Sequence, residues 1–102
     1  LDLGALRLAP AAADGRLGVR LGTRRTGSLS IRRLRLGGTS LDLEARWRPG
    51  ATVLRARRAH GPALVLEVEF PEGAAVTADE VPLDGARARL ELRDRHEVVA
   101  YA

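Results

Sequence analysis

Residues 28 to 50 read SLSIRRLRLGGTSLDLEARWRPG, and apolar side chains recur in them at almost every second position. That period puts alternate residues on one face of a β-strand. Leu41, Leu43, Ala45 and Trp47 alternate with Asp42, Glu44, Arg46 and Arg48, and Pro49-Gly50 ends the run with turn chemistry. Leu29 and Ile31 share one phase, whereas Leu34 and Leu36 share the other, so the alternation slips at Arg32-Arg33. A β-bulge there would return both pairs to the core. The four-residue connection Gly37-Gly38-Thr39-Ser40 makes antiparallel neighbours of the strands Ser28 to Leu36 and Leu41 to Arg48.

Outward from this pair, the clearest strand is in residues 64 to 74, LVLEVEFPEGA, where Leu64, Leu66, Val68 and Phe70 alternate with Val65, Glu67 and Glu69 before a Pro-Glu-Gly stop. Weaker runs span Leu3 to Leu8, Leu17 to Leu21, Thr52 to Arg58, Ala74 to Ala78, Ala86 to Arg93 and Glu97 to Tyr101, each bounded by Gly, Pro or Asp. Nowhere is a 3.6-residue apolar period sustained, and Pro10 argues against a helix in the Ala-rich stretch Ala9 to Ala13. The expected fold is all-β, an antiparallel β-sandwich of eight or nine short strands. One domain, residues 1 to 102, accommodates it.

With 45% hydrophobic residues the chain has the apolar content of a globular domain rather than a disordered one. No apolar run is long enough to span a bilayer, so no membrane partner is expected. The absence of cysteine removes disulfides, thiolate zinc ligands and a cysteine nucleophile, and leaves the cellular compartment open. A start at Leu1 without a basic and apolar leader pattern fits a fragment or C-terminal part of a longer chain.

All 17 basic residues are Arg, and Lys, Asn and Gln are missing, a pattern that points to a GC-rich coding bias. Charge is nevertheless uneven along the chain. Residues 1 to 58 hold 13 Arg against four acids, a balance of +9; residues 59 to 102 hold four Arg against nine acids, −5, which gives the net +4.

Catalytic chemistry has few residues to draw on. A hydrolytic nucleophile needs a His within reach of a Ser and oriented by a third group. The two histidines, His60 before Gly61-Pro62 and His96 after Asp94-Arg95, both read as solvent-facing turn residues. Neither has the spacing of a metal-ligating pair. Asp42 with Glu44 and Glu67 with Glu69 are numerically carboxylate pairs, but strand positions two apart read first as a solvated face. Gly37-Gly38 lacks the residues of a phosphate-cradling loop. No catalytic residue, metal or cofactor is expected.

A basic sheet face is the one binding feature that the sequence offers: Arg32, Arg33, Arg35, Arg46, Arg48, Arg55 and Arg57 fall on neighbouring strands. Base-stacking barrels expose aromatics, however, and Trp47 and Phe70 are here in phase with core leucines, leaving Tyr101 alone. Sugar-stacking modules meet the same objection. Pairing of these arginines with the acidic Glu67, Glu69 and Glu91 strands, or with an acidic neighbouring surface, is the plainer expectation, and a nucleic-acid partner the lesser one.

The stretches Ser28 to Trp47 and Leu64 to Ala74 resemble the small β-sandwich that follows the helical catalytic barrel in bacterial glycoside hydrolases of the α-rhamnosidase, maltose-phosphorylase-like and glycogen-debranching kind. The likeness covers roughly residues 28 to 92. In those families the catalytic carboxylates sit on the barrel, so none is carried onto this chain. The resemblance implies a non-catalytic accessory domain that packs on and stabilises a larger carbohydrate-active enzyme, with the parent's catalytic domain or a second copy as its partner. The alternative is a basic-surface binding module for nucleic acid or another acidic partner.

Overall fold

The computed structural model describes residues 4–101 and is all-β, two packed sheets with a single short 3-10 turn at Ala12–Asp14. Ten strands run in chain order: β1 (Leu6–Ala11), β2 (Arg16–Leu21), β3 (Gly27–Leu36), β4 (Thr39–Arg48), β5 (Ala51–His60), β6 (Leu64–Glu69), β7 (Ala75–Ala78), β8 (Val81–Leu83), β9 (Arg87–Leu92) and β10 (Arg95–Tyr101). A four-stranded sheet has the order β1-β2-β6-β9, and a six-stranded sheet the order β3-β4-β5-β10-β7-β8. Leu3, where the first expected strand was to begin, lies outside the described residues. β8, a Val-Pro-Leu strand of three residues at a sheet edge, is the element that the alternation does not mark.

The slip at Arg32-Arg33 is the expected bulge, because register breaks between Ile31 and Leu34 and Arg33 takes φ 56. Asp42 holds it, its Oδ1 accepting the Arg33 amide at 2.8 Å. The hairpin is tighter than its sequence suggests. Leu36 pairs with Thr39, leaving a two-residue Gly37-Gly38 turn with positive φ at its first residue, the geometry that matches strand twist. Thr39 joins the strand, only 4% exposed, and its hydroxyl donates to the Pro62 carbonyl at 2.6 Å.

All pairs are antiparallel except β2 with β6, which runs parallel from Arg16 beside Val65 to Arg20 beside Glu69. Parallel neighbours need a long crossover, and residues 22–63 between them build β3, β4 and β5 of the other sheet. Between the sheets, Leu6, Leu17, Leu21, Leu66 and Leu92 meet Leu41, Leu43, Leu54, Trp47 and Val98, all nearly sealed from solvent. No buried side-chain N or O among the described residues lacks a partner. Because the four-stranded sheet is two strands narrower, the inner face of edge strand β3 is only half covered: Leu29, Ile31, Leu34 and Leu36 stay partly exposed.

Candidate functional site

The outer face of the six-stranded sheet carries the polar side chains left over by the core alternation. Cross-strand register arranges them in rows. Ser30 pairs with Glu44, Glu44 with Arg55 and Arg55 with Glu97; one step along, Asp42 pairs with Arg57 and Arg57 with Arg95. These rows floor a groove of about 690 Å3, to which the bulge adds Arg32 and the β7–β8 turn adds Asp79 and Glu80.

Of the seven arginines expected as a basic surface, Arg32, Arg55 and Arg57 line this groove. Arg46 and Arg55 lie 3.8 and 3.7 Å from Glu44, and Arg55 Nε lies 2.7 Å from Glu97. The hydrogen bond and charge of Glu97 hold the Arg55 guanidinium above its ordinary pKa. Arg33 contributes its backbone amide to Asp42, Arg35 stands opposite Ser40, and Arg48 pairs with Ala51 at the far end of the sheet. Cations and carboxylates thus interleave on this face. Glu67 and Glu69 are instead engaged on the other sheet, by Arg16 at 3.5 Å and Arg20 at 3.3 Å across the parallel pair, with Arg87 at 3.6 Å from Glu69. Glu91 is taken by its near neighbour Arg93 at 2.8 Å. Of the arginines of β3 to β5, Arg46 and Arg55 therefore find their partners in Glu44 and Glu97, and none pairs with Glu67, Glu69 or Glu91.

His96 corrects the expectation of a solvent-facing turn residue. It is the second residue of β10, in phase with Val98 and Ala100, so its ring turns inward and is only 22% exposed. Its Nδ1 faces the Asp79 carboxylate and its Nε2 lies 2.7 Å from the Glu91 carbonyl. Both partners are acceptors, which only the doubly protonated imidazolium can satisfy. Asp79 in turn accepts the Glu97 amide at 2.8 Å. This clasp joins β9, β10 and the β7–β8 turn, where Asp79 and Glu80 take φ 49 and 71, strained for residues other than glycine. His60 ends β5, exposed. Arg95, the groove cation outside the expected set, sits in the acidic half of the chain, where composition drew no attention to it.

The clasp makes stability depend on pH. Burial pulls the His96 pKa down, but the hydrogen bond to Asp79, the Glu91 carbonyl and the Asp79 charge outweigh it, and the net shift is upward. Burial raises Asp79, and the Glu97 amide and His96 outweigh that to a net lowering. A raised histidine stabilises below its unfolded pKa and loses that contribution as pH climbs through the folded value; a lowered carboxylate loses its contribution as pH falls through its own. The pair is therefore fully effective between about pH 4 and 6.5. The thermal midpoint is expected to drop by a few degrees from about pH 6 to 8.5. His96→Gln should flatten that slope, and an unchanged slope in the variant would assign it to other groups.

No protein-family model and no curated protein sequence matches the chain. Among solved structures the chain is similar to part of a GH127 β-L-arabinofuranosidase, Ara127N-Se from Geobacillus stearothermophilus T6, with a TM-score of 0.60 and 16% identity. The match covers 92% of this chain and 16% of that enzyme. At that identity the likeness is one of fold. Among the described residues, no helix is long and apolar enough to cross a membrane, and no three His, Cys, Asp or Glu cluster in a way that could hold a metal ion.

Proposed function

We propose that this chain is a non-catalytic accessory β-sandwich that packs on and stabilises a larger, carbohydrate-active enzyme. The observation that carries the reading is the extent of the structural match: nearly the whole chain corresponds to a small part of a glycoside hydrolase. Two features support it. The half-covered leucines and isoleucine of β3 form an apolar strip of the kind a neighbouring domain covers. His96 has both ring nitrogens committed to acceptors, leaving neither to take a proton from a nucleophile. A nucleic-acid module is the weaker reading, because Glu44 and Glu97 interrupt the outer-face arginines where a phosphate track would need an unbroken one.

The size of the native polypeptide tests this. An antibody raised against the chain should detect, in an extract of the source cells, a band far larger than the 11.0 kDa of these 102 residues. A single band at that mass, in cells protected from proteolysis, would overturn the accessory reading.

A further inference from the structure

The groove on the six-stranded sheet sorts its charges unequally. Glu44 and Glu97 are engaged by Arg55, Asp42 takes the bulge amide, and Asp79 is clasped by His96. None of the ion pairs among the described residues uses Arg32, Arg57 or Arg95, and of the groove carboxylates Asp42, which stands opposite Arg57 in register, and Glu80 take part in none of them. Arg57 and Arg95 are, moreover, direct register partners on adjacent strands. Their side chains share the outer face, since each lies two positions from a member of the Arg55–Glu97 bridge on that face. Like charges placed directly opposite destabilise a sheet unless something neutralises them.

We propose that Arg57 and Arg95, with Arg32 at the bulge, form a carboxylate-binding subsite for an acidic carbohydrate of the uronic-acid class. A planar guanidinium matches the two oxygens of a carboxylate, a recognition that ammonium groups do not provide, and the register brings two arginines to neighbouring positions on one face. Around them the groove offers Ser30 as donor and acceptor and the free Glu80 carboxylate as acceptor, so that sugar hydroxyls also find partners. Its volume of about 690 Å3 falls among those of small-ligand sites. The comparable depression on the other sheet, about 740 Å3, differs in its charges: Glu67 and Glu69 there are already bridged by Arg16, Arg20 and Arg87. The subsite needs no neighbouring catalytic domain, and its test is separate from that of the accessory role.

Titration calorimetry of the 102-residue chain with trigalacturonate at low salt is expected to show binding that weakens as salt is added. Its methyl ester, which keeps the hydroxyls and loses the charge, should bind at least tenfold more weakly. Arg57→Gln with Arg95→Gln should reduce affinity at least tenfold while the thermal midpoint holds or rises, because the substitutions remove an opposed like-charge pair. Equal binding of the ester, no binding of the acid, or an unchanged double variant would each overturn the proposal. Tighter binding of a hexaglutamate peptide than of trigalacturonate would do so too, reassigning the groove to an acidic protein segment.

Discussion

Gly61→Ala is expected to cost this domain much of its stability, because the residue sits where the chain turns from one sheet to the other and has no room for a Cβ. It lies between the end of β5 and the start of β6 with φ +89, and an added Cβ would come 1.9 Å from the Gly38 carbonyl oxygen, 2.7 Å from its carbon and 2.8 Å from Thr39 Cα. All three atoms are backbone of the β3–β4 hairpin, so no side chain can swing aside. The corner is also tied from outside: Arg58 donates its Nη1 to the Gly61 carbonyl and its Nε to the Arg93 carbonyl, while Thr39 holds the next carbonyl. Backbone strain alone is worth about 1–3 kcal/mol. Displacing the hairpin adds to that, out of a total of about 5–15 kcal/mol for a small domain. Gly50→Ala is the control. Gly50 has φ +82 with nothing near its Cβ position, so its variant carries the strain without the clash. Urea denaturation followed by circular dichroism should therefore show a clearly larger loss for Gly61→Ala than for Gly50→Ala. Equal losses would mean that the corner yields freely.

What could be read from the residues divides along a physical line. Alternation is a local property of one strand, so the strands, the bulge at Arg32-Arg33 and the burial of Trp47 and Phe70 follow from it. Pairing between distant strands is not local. The parallel pairing of β2 with β6, and with it the capture of Glu67 and Glu69 by Arg16 and Arg20, depends on how residues 22–63 cross to the other sheet. β8 fails the local test because three residues around a proline carry no period. His96 reads as a turn residue because it follows the polar Asp94-Arg95, whereas β10 begins one residue before it and takes its phase from Val98 and Ala100. The groove mixes both kinds of information. Arg57 faces outward by alternation, but its neighbour Arg95 comes from a strand 38 positions later, and only the register of β5 with β10 brings the two together.

Trp47→Ala should be the most damaging single substitution in the core. Alternation with Leu41, Leu43 and Ala45 turns the indole inward, and it is 2% exposed. It is the only tryptophan, and its volume fills a share of the inter-sheet space that neighbouring leucines cannot recover by moving. Truncation is therefore expected to cost about 3–5 kcal/mol. The indole N–H adds a second role, donating to the Gly22 carbonyl at 3.1 Å and so pinning the β2–β3 connection onto β4. Trp47→Phe, which keeps a ring but leaves that carbonyl without its donor, should cost less, about 1–3 kcal/mol. Over the ring lies Arg24, its Cζ 5.4 Å from the centroid, close enough for a cation–π contact. This neighbour makes quenching a stringent measurement, since a guanidinium draws iodide toward any accessible part of the indole. Emission of the intact chain should nevertheless be blue-shifted and resist iodide, as a sealed side chain requires. A red-shifted, readily quenched emission, with Trp47→Ala still folded, would instead identify the ring as an exposed stacking platform and remove it from the core.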